Sequence, residues 1–150
     1  MKVLFLYPNH EGYFRCPVGL TLIMTVVEND GHEVKLFDTT FMNSDNNQDN
    51  SKREDVGLVK PVTLDNYFDK KSTNEIESDW IKLVEEFKPD LIATTIVEDA
   101  YTYAHRLLGL AKSVHDAPVV VGGSMPTVVP KVMIENPNID YLVEGEGEVA

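Results

Sequence analysis

Two patterns of hydrophobic and polar residues alternate along the chain. Short runs rich in strand-forming residues, typical of strands in a parallel sheet, occupy 3–7, 32–37, 90–97, 118–121 and 139–143. Between them, apolar residues recur every three or four positions, which predicts amphipathic helices; these cover 20–27, 76–87, 101–114 and 130–135. Strands that alternate with helices predict right-handed crossovers and an α/β fold, doubly wound around a parallel sheet.

The number and length of the strands favour a flavodoxin-like, Rossmann-type sheet of five parallel strands in the order 2-1-3-4-5. Ligands of such sheets bind at the carboxyl ends of the strands, near the switch point between strands one and three. Four segments follow strands there and should meet, namely 8–12, 94–99, 122–126 and 144–147. Because no helix is predicted after the fifth strand, we expect the final covering helix to be missing and to come from a longer protein or a partner.

One segment departs from the alternating pattern. Residues 43–71 are mostly polar, and residues 43–55 (NSDNNQDNSKRED) contain almost nothing that a core could bury. Long loops without apolar residues are uncommon inside compact domains. We therefore predict a polar insertion at about 41–72 in a single domain over 1–150.

Composition narrows the class of partner. The 150 residues are 43% hydrophobic, enough for one core. The 25 acidic and 13 basic residues give a formal charge of -12, which opposes binding to nucleic acid or an anionic membrane. Cys16 is the only cysteine, so the chain has no intrachain disulfide and cannot hold an iron–sulfur cluster by itself. A cytoplasmic localisation is predicted, because the N-terminal apolar run is too short for a signal peptide or a membrane span.

Common nucleotide and phosphorylation motifs are absent from the sequence. No G-x-G-x-x-G follows the first strand, and no P-loop motif occurs. A response regulator needs acidic residues after the first strand, where Pro8 and Asn9 stand, and a phosphorylatable Asp after the third, for which Asp99 arrives late. The pair Gly122-Gly123 after the fourth strand indicates either a tight turn or room for a bulky ligand, and the residues alone leave both open.

Four segments carry a family resemblance: PVGLTLIMTVVENDGHEVKLFDTT, KPDLIATTIVEDAYTYAHRLL, APVVVGGSMPTVVP and NIDYLVEGEGE. Together they resemble the cobalamin-binding domain at the N-terminus of cobalamin-dependent radical S-adenosylmethionine (SAM) enzymes. The resemblance implies that the corrin ring rests on the carboxyl edge of the sheet and that the nucleotide tail runs down between strands, past bare glycines. The expected cofactor-binding residues are Asn9, His10, Glu11, Thr94, Thr95, Val97, Glu98, Asp99, Gly122, Gly123, Ser124, Met125, Pro126, Glu144, Gly145, Glu146 and Gly147. For Glu98 and Asp99, capping of the next helix is an equal alternative.

The loop after the first strand departs from the cobalt-ligating pattern D-x-H-x-x-G of the mutase and methionine synthase type. Pro8 stands where the Asp is expected, two residues before His10, and Tyr13 stands where the Gly is expected. We therefore expect base-off cobalamin without a protein histidine ligand. Gly12 lies one residue early, so His10 as a cobalt ligand in a shifted arrangement remains the alternative.

The resemblance implies a cofactor module of a radical SAM protein, with methyl transfer as the expected reaction of the parent enzyme. A [4Fe-4S] cluster and S-adenosylmethionine would belong to a C-terminal radical SAM domain, because one cysteine cannot supply the C-x-x-x-C-x-x-C motif. The expected partners are thus cobalamin and that domain, with catalysis outside these residues. Two alternatives remain: a flavodoxin-like regulatory or interaction domain that binds no cobalamin, and a small-molecule enzyme that uses the Glu144-to-Glu148 turn.

Overall fold

The computed structural model describes residues 1–9, 16–42, 55–58, 60 and 71–147. The strands are β1 (Lys2–Tyr7), β2 (Glu33–Asp38), β3 (Leu91–Thr95), β4 (Val119–Gly122) and β5 (Tyr141–Leu142), and the helices are α1 (Val18–Asn29), α2 (Thr73–Phe87), α3 (Tyr101–Val114), α4 (Ser124–Val128) and α5 (Pro130–Ile134). The strands form one parallel sheet in the order β2-β1-β3-β4-β5. The predicted flavodoxin-like α/β fold is confirmed.

The main core lies between the sheet and the helices α2, α3 and α5. Its centre is Trp80 of α2, which is fully buried and donates from Nε1 to the carbonyl oxygen of Leu107 in α3 at 2.7 Å. The ring of Phe37 from β2 packs against the Trp80 ring at 5.1 Å between centroids. The indole bond satisfies the one polar atom of this side chain, so a large aromatic anchor is buried without an unpaired donor.

The opposite face of the sheet carries α1 alone among the described helices. Val3 and Phe5 of β1 are buried beneath Leu20 of this helix. α1 has no charged residue before Glu28, and it leaves Val18 61% exposed on its outer side. α1 packs over β1 and β2. Beside it lies a groove whose floor runs on the same face of the sheet from β1 across β3 and β4 to β5.

Two predicted strands are shorter in the structure. The third strand, predicted to reach residue 97, ends at Thr95, because β4 turns across its end: Ile96 donates its N–H to the Gly122 carbonyl and accepts from the Met125 N–H. The fifth strand, predicted over 139–143, is reduced to Tyr141–Leu142, since the Ile139 N–H is bonded within the preceding turn.

The short helix α4 was not predicted from the sequence. Pro126 lies in its first turn, where the missing N–H of a proline costs no intrahelical hydrogen bond. The helix begins directly at the turn of Gly123. A proline, which in a sequence usually indicates the end of a helix, is therefore compatible with the start of one.

The predicted insertion at 41–72 lies mostly outside the described residues. Its two ends meet, since the Lys71 N–H donates to the Met42 carbonyl at 3.0 Å. Directly after it, Ser72 and Glu75 form a reciprocal capping box that begins α2. Within the described ranges, no helix has the length and apolar character that crossing a membrane would require.

Candidate cofactor-binding site

A groove of about 600 Å³ runs along the α1 face of the sheet. Its floor consists of three cross-strand rows fixed by the strand register. The lower row is Val3 beside Leu91, the middle row is Phe5, Ala93, Val120 and Tyr141, and the upper row is Thr95 beside Gly122. Successive rows lie roughly 7 Å apart along the strands. The groove therefore follows the full length of the central strands and opens at their carboxyl ends.

The two adjacent glycines at the upper end have different structural causes. A Cβ on Gly122 would meet no atom within 4 Å, and its backbone φ is not in the left-handed region. A Cβ on Gly123 would lie 2.5 Å from Thr95 Oγ1 and 2.9 Å from the Ile96 carbonyl oxygen, and its φ is 101°. The fold itself thus requires Gly123, whereas nothing within the described chain requires Gly122.

The two adjacent threonines at the end of β3 face opposite sides of the sheet. Thr94 pairs in register with Leu6 and Val121, which belong to the core under α2 and α3. Thr95 pairs with Gly122 and lies on the groove side with Ala93. Both residues border the groove, but because side chains alternate along a strand, only the Thr95 hydroxyl belongs to the groove face.

The hydroxyl of Thr94 is buried without a hydrogen-bond partner. Thr94 is 3% exposed, and its Oγ1 has no donor or acceptor within reach in the described structure. A buried hydroxyl left unpaired costs about 1–3 kcal/mol. Thr94 therefore lowers the stability of the fold, although a valine of the same shape would fit the strand.

Thr127 connects the two glycine turns at the open end of the groove. Its Oγ1 donates to the Gly123 carbonyl at 2.9 Å and accepts from the Gly145 N–H at 3.1 Å. Gly145 itself has φ 81°, the left-handed conformation that glycine tolerates. One side chain of α4 thereby fixes the segment after β4 relative to the segment after β5.

Two further glycines border the groove on the α1 side. Gly19 lies in the first turn of α1, where a Cβ would meet nothing within 4 Å. Gly147 lies against Ile23, and a Cβ there would come within 2.9 Å of the Ile23 Cδ1 atom. Because Gly19 and Gly147 have no side chains, nothing from these two residues narrows the opening of the groove.

The described groups with shifted pKa values lie outside the groove lining. Burial raises the pKa of the Tyr103 hydroxyl to about 12, which keeps it protonated at neutral pH. The Lys112 ammonium, together with the Val119 N–H, lowers the pKa of the Asp140 carboxyl below its ordinary value. In the groove, the described lining is mainly apolar, so its arrangement suits the binding of a large molecule more than proton transfer.

The structure brings together seven of the predicted site residues as lining of the groove: Thr94, Thr95, Gly122, Gly123, Gly145, Glu146 and Gly147. Eight others lie near the same carboxyl edge outside the lining, namely Asn9, Val97, Glu98, Asp99, Ser124, Met125, Pro126 and Glu144. His10 and Glu11 lie outside the described residues. The described members thus lie in the last residues of strands or in the segments that follow them, and only some of them line the groove.

Several members of the second group have structural roles. Asn9 donates from Nδ2 to Thr40 Oγ1 at 3.1 Å. Met125 packs against the main core, and Pro126 is buried. Glu98 and Asp99 lie in a 3-10 turn before α3, and neither that turn nor α3 has a side-chain cap. The helix-capping alternative for these two acidic residues is therefore not realised as a hydrogen bond.

Sequence reasoning missed the wall of the groove and part of its floor. The missed positions are Met1, Val3, Phe5, Gly19, Leu20, Ile23, Val27, His32, Leu91, Ala93, Val120, Tyr141 and Val143. Two signals in α1 pointed to them: a glycine inside a helix, and apolar residues on more than one side of it. A helix with apolar residues on two sides is expected to pack against the core with one side and to contact a second apolar surface or a ligand with the other.

Comparison with known proteins identifies the family of the chain. The model of the B12 binding domain matches residues 63–150, more than half of the chain. The chain is 31% identical over 156 residues to cytidylyl-2-hydroxyethylphosphonate methyltransferase of Streptomyces wedmorensis, covering 99% of this chain and 27% of that protein. It is 27% identical to an uncharacterised methyltransferase of Pyrococcus horikoshii, covering 99% of this chain and 28% of that protein.

Solved structures agree on the fold. The radical S-adenosylmethionine methyltransferase TsrM from Kitasatospora setae, determined with cobalamin and a [4Fe-4S] cluster, superposes with a TM-score of 0.67 at 23% identity, over 99% of this chain and 23% of that one. A second TsrM structure, with tryptophan and a SAM analogue, gives a TM-score of 0.69. The chain spans about a quarter of the length of these relatives. The family match and the sheet order agree, and the prediction of cobalamin as the cofactor is confirmed. The chain belongs to the B12-binding domain family.

Proposed function

We propose that this domain holds cobalamin with its nucleotide tail in the groove beside α1 and its corrin ring at the carboxyl edge, as the cofactor module of a radical SAM methyltransferase. The observation that carries the proposal is Gly122. This residue is bare although a Cβ there would meet no atom of the described chain. The absence of a Cβ at Gly122 keeps the upper row of the groove free for a ligand.

The residues present fit a long nucleotide tail that ends in an apolar base. Gly122 and Gly19 leave the opening wide on two sides, and Thr95 offers a hydroxyl on the floor of the upper row. Thr127 holds the Gly123 and Gly145 turns together. A preformed groove lowers the ordering cost of binding, so affinity would come from fit and from the single Thr95 hydrogen bond.

The position of the groove supports the base-off state. A tail whose base is held between α1 and the sheet is separated from the corrin ring at the strand ends, and its base cannot also coordinate cobalt. When bound, cobalamin supplies a cobalt centre that can carry a methyl group. We propose that no protein histidine ligates this cobalt, because the sequence around His10 lacks the Asp and Gly of the ligating motif.

The parent reaction is proposed from the relatives. The proteins that match nearly the whole chain are named methyltransferases, and another match over 51% of the chain is an anaerobic magnesium-protoporphyrin IX monomethyl ester cyclase of Rubrivivax gelatinosus. The [4Fe-4S] cluster and S-adenosylmethionine would bind to a radical SAM domain of the full protein. We propose that residues 1–150 bind and present the cofactor and that methyl transfer takes place between the two domains.

Binding is tested by mixing the purified chain with hydroxocobalamin, desalting it and recording the visible spectrum. Retained cobalamin with a base-off band is expected. Colourless protein, with isothermal titration also showing no heat of binding, would refute the proposal. A spectrum that changes in His10→Ala would overturn the absence of a histidine ligand.

A matched pair of variants tests the placement of the tail. Thr95→Val removes the groove hydroxyl, and affinity for cobalamin should fall roughly 3–10-fold, the effect of one lost hydrogen bond of about 0.5–1.5 kcal/mol. Thr94→Val removes the unpaired hydroxyl on the other face. It should leave affinity unchanged and raise the unfolding temperature by roughly 2–4 °C, the effect of about 1 kcal/mol. Equal loss of affinity in both variants would contradict the groove as the tail site.

A further inference from the structure

We propose that the groove selects among cobamides by their lower base, favouring an alkylated benzimidazole over a purine. The inference rests on the proposed function, because it assigns the nucleotide tail to the groove. It goes further by naming which tail the chain accepts. The determinants are the side chains of the middle row of the floor and the α1 side chains that face it.

The middle of the groove is apolar on both sides. Phe5, Ala93 and Val120 form its floor in register, and Ile23 and Val27 of α1 border it. The fourth member of this row, Tyr141, lies at the outer edge of the sheet and is 61% exposed. The side chains at the centre of the row therefore offer a base no hydrogen-bond partner, and the Tyr141 hydroxyl at the edge is the one polar side-chain group of this row.

Apart from Tyr141, the polar side chains of the described lining are found at the two ends of the groove. Thr95 and Glu146 lie at the carboxyl end, and His32 lies at the opposite end, where its Nδ1 is 3.4 Å from the N-terminal amine of Met1. The ribose would meet the upper set, because its hydroxyls can hydrogen-bond to Thr95 and donate to Glu146. The base beyond them would enter the apolar middle.

The backbone of the floor is also occupied. β3 is bonded to β1 on one side and to β4 on the other, so the N–H and C=O groups beneath the middle row take part in the parallel ladder. α1 uses its backbone groups within the helix. A base lying on this surface has only apolar contact available.

The chemistry of the base decides the consequence. Adenine has ring nitrogens and an exocyclic amine that are hydrogen-bonded in water, and they would be left unpaired in the middle of the groove. Dimethylbenzimidazole places methyl groups there instead and buries apolar surface. An apolar pocket that meets an added polar group discriminates by about 10–100-fold, so we expect cobalamin to bind that much more tightly than the adenine-containing cobamide.

The experiment is an equilibrium titration of the purified chain with three corrinoids: cobalamin, the adenine-containing cobamide, and cobinamide, which lacks the nucleotide. Cobalamin should bind most tightly. Val120→Thr places a hydroxyl in the middle row without changing the branched shape of the side chain, and it should reduce the preference severalfold. Val34→Thr is the matched control, because Val34 lies half-buried on the same face of the sheet, outside the groove lining, and it should keep the wild-type ratio.

The outcomes separate this inference from the proposed function. Equal affinity for the two complete cobamides, both above cobinamide, would overturn base selection and leave the tail site standing. Equal affinity for all three would show that the tail does not use the groove and would overturn the inference as well. Failure of all three to bind would refute cobalamin binding itself. A preference for cobalamin that Val120→Thr leaves intact would move the determinant away from the middle row.

Discussion

Gly123→Ala should destabilise the fold, whereas the same substitution one residue earlier should not. At Gly123 the new Cβ would come within 2.9 Å of the Ile96 carbonyl oxygen and 3.0 Å of the Ile96 nitrogen. These are backbone atoms of the neighbouring chain segment, which cannot rotate away as a side chain can. The backbone at Gly123 also has φ 101° and ψ -167°, a conformation almost restricted to glycine.

The expected size of the effect follows from these two terms. Backbone strain at such a position costs about 1–3 kcal/mol, and forcing an extra methyl group into a packed site costs a further 1–3 kcal/mol or so. Their sum, about 2–6 kcal/mol, is a large part of the roughly 5–15 kcal/mol that stabilises a typical domain. The unfolding temperature of a chain of this size should fall by roughly 5–20 °C.

The assay is available in the protein itself. Trp80 is the only tryptophan and is fully buried, so its fluorescence reports unfolding in urea or on heating. Gly122→Ala is the control. It should keep or slightly raise stability, because alanine restricts the unfolded chain by about 0.4–1 kcal/mol, but it should weaken cobalamin binding. Unfolding curves that coincide for wild type and Gly123→Ala, or that shift equally in both variants, would refute the separate roles of the two glycines.

Two further predictions concern contacts around the site. Thr127→Val removes both hydrogen bonds between the glycine turns; it should cost about 1 kcal/mol and speed hydrogen exchange at the Gly145 amide, and an unchanged exchange rate there would contradict the bridge. Asp140 has a pKa lowered from 3.8, first by its hydrogen bond to Lys112. Its carboxylate therefore contributes stability above that pH which is lost on acidification below about pH 4. Between pH 5 and pH 3, the free energy of unfolding should fall less in Asp140→Asn than in wild type, as measured by urea titration at each pH. An equal fall in both proteins would contradict this role.

The sequence could predict the sheet, because its strand order depends on patterns that repeat along the chain. Alternating strands and helices predict the strand order through general connection rules. The side of the sheet used by a given residue is harder to predict. Thr94 and Thr95 were expected to serve the same purpose, but a change of one residue reverses the direction of the side chain, and only the register with Gly122 assigns Thr95 to the groove.

The pattern of apolar and polar residues could not predict contacts between segments that are far apart in the sequence. The glycine and the apolar residues on more than one side of α1 indicated a second surface, but the sequence did not show that Ile23 borders a groove. The role of Thr127 depends on its hydrogen bond to Gly145, which lies 18 residues away in the sequence. Gly122 and Gly123 form one sequence motif but have different structural causes. Only the space around the Cβ position of each residue distinguishes them.

The meeting of Met42 and Lys71 has a consequence for how such a domain changes over evolution. Met42 and Lys71, which flank residues 43–70, are joined by a backbone hydrogen bond. In the sheet, β1 and β3 lie between β2 and the strand that carries Gly122. Loop length adds little to the free energy of closure once the ends are fixed. Exchange of this segment for one of another length should therefore leave the strand register and the groove unchanged, so that the segment can diverge while the site is inherited.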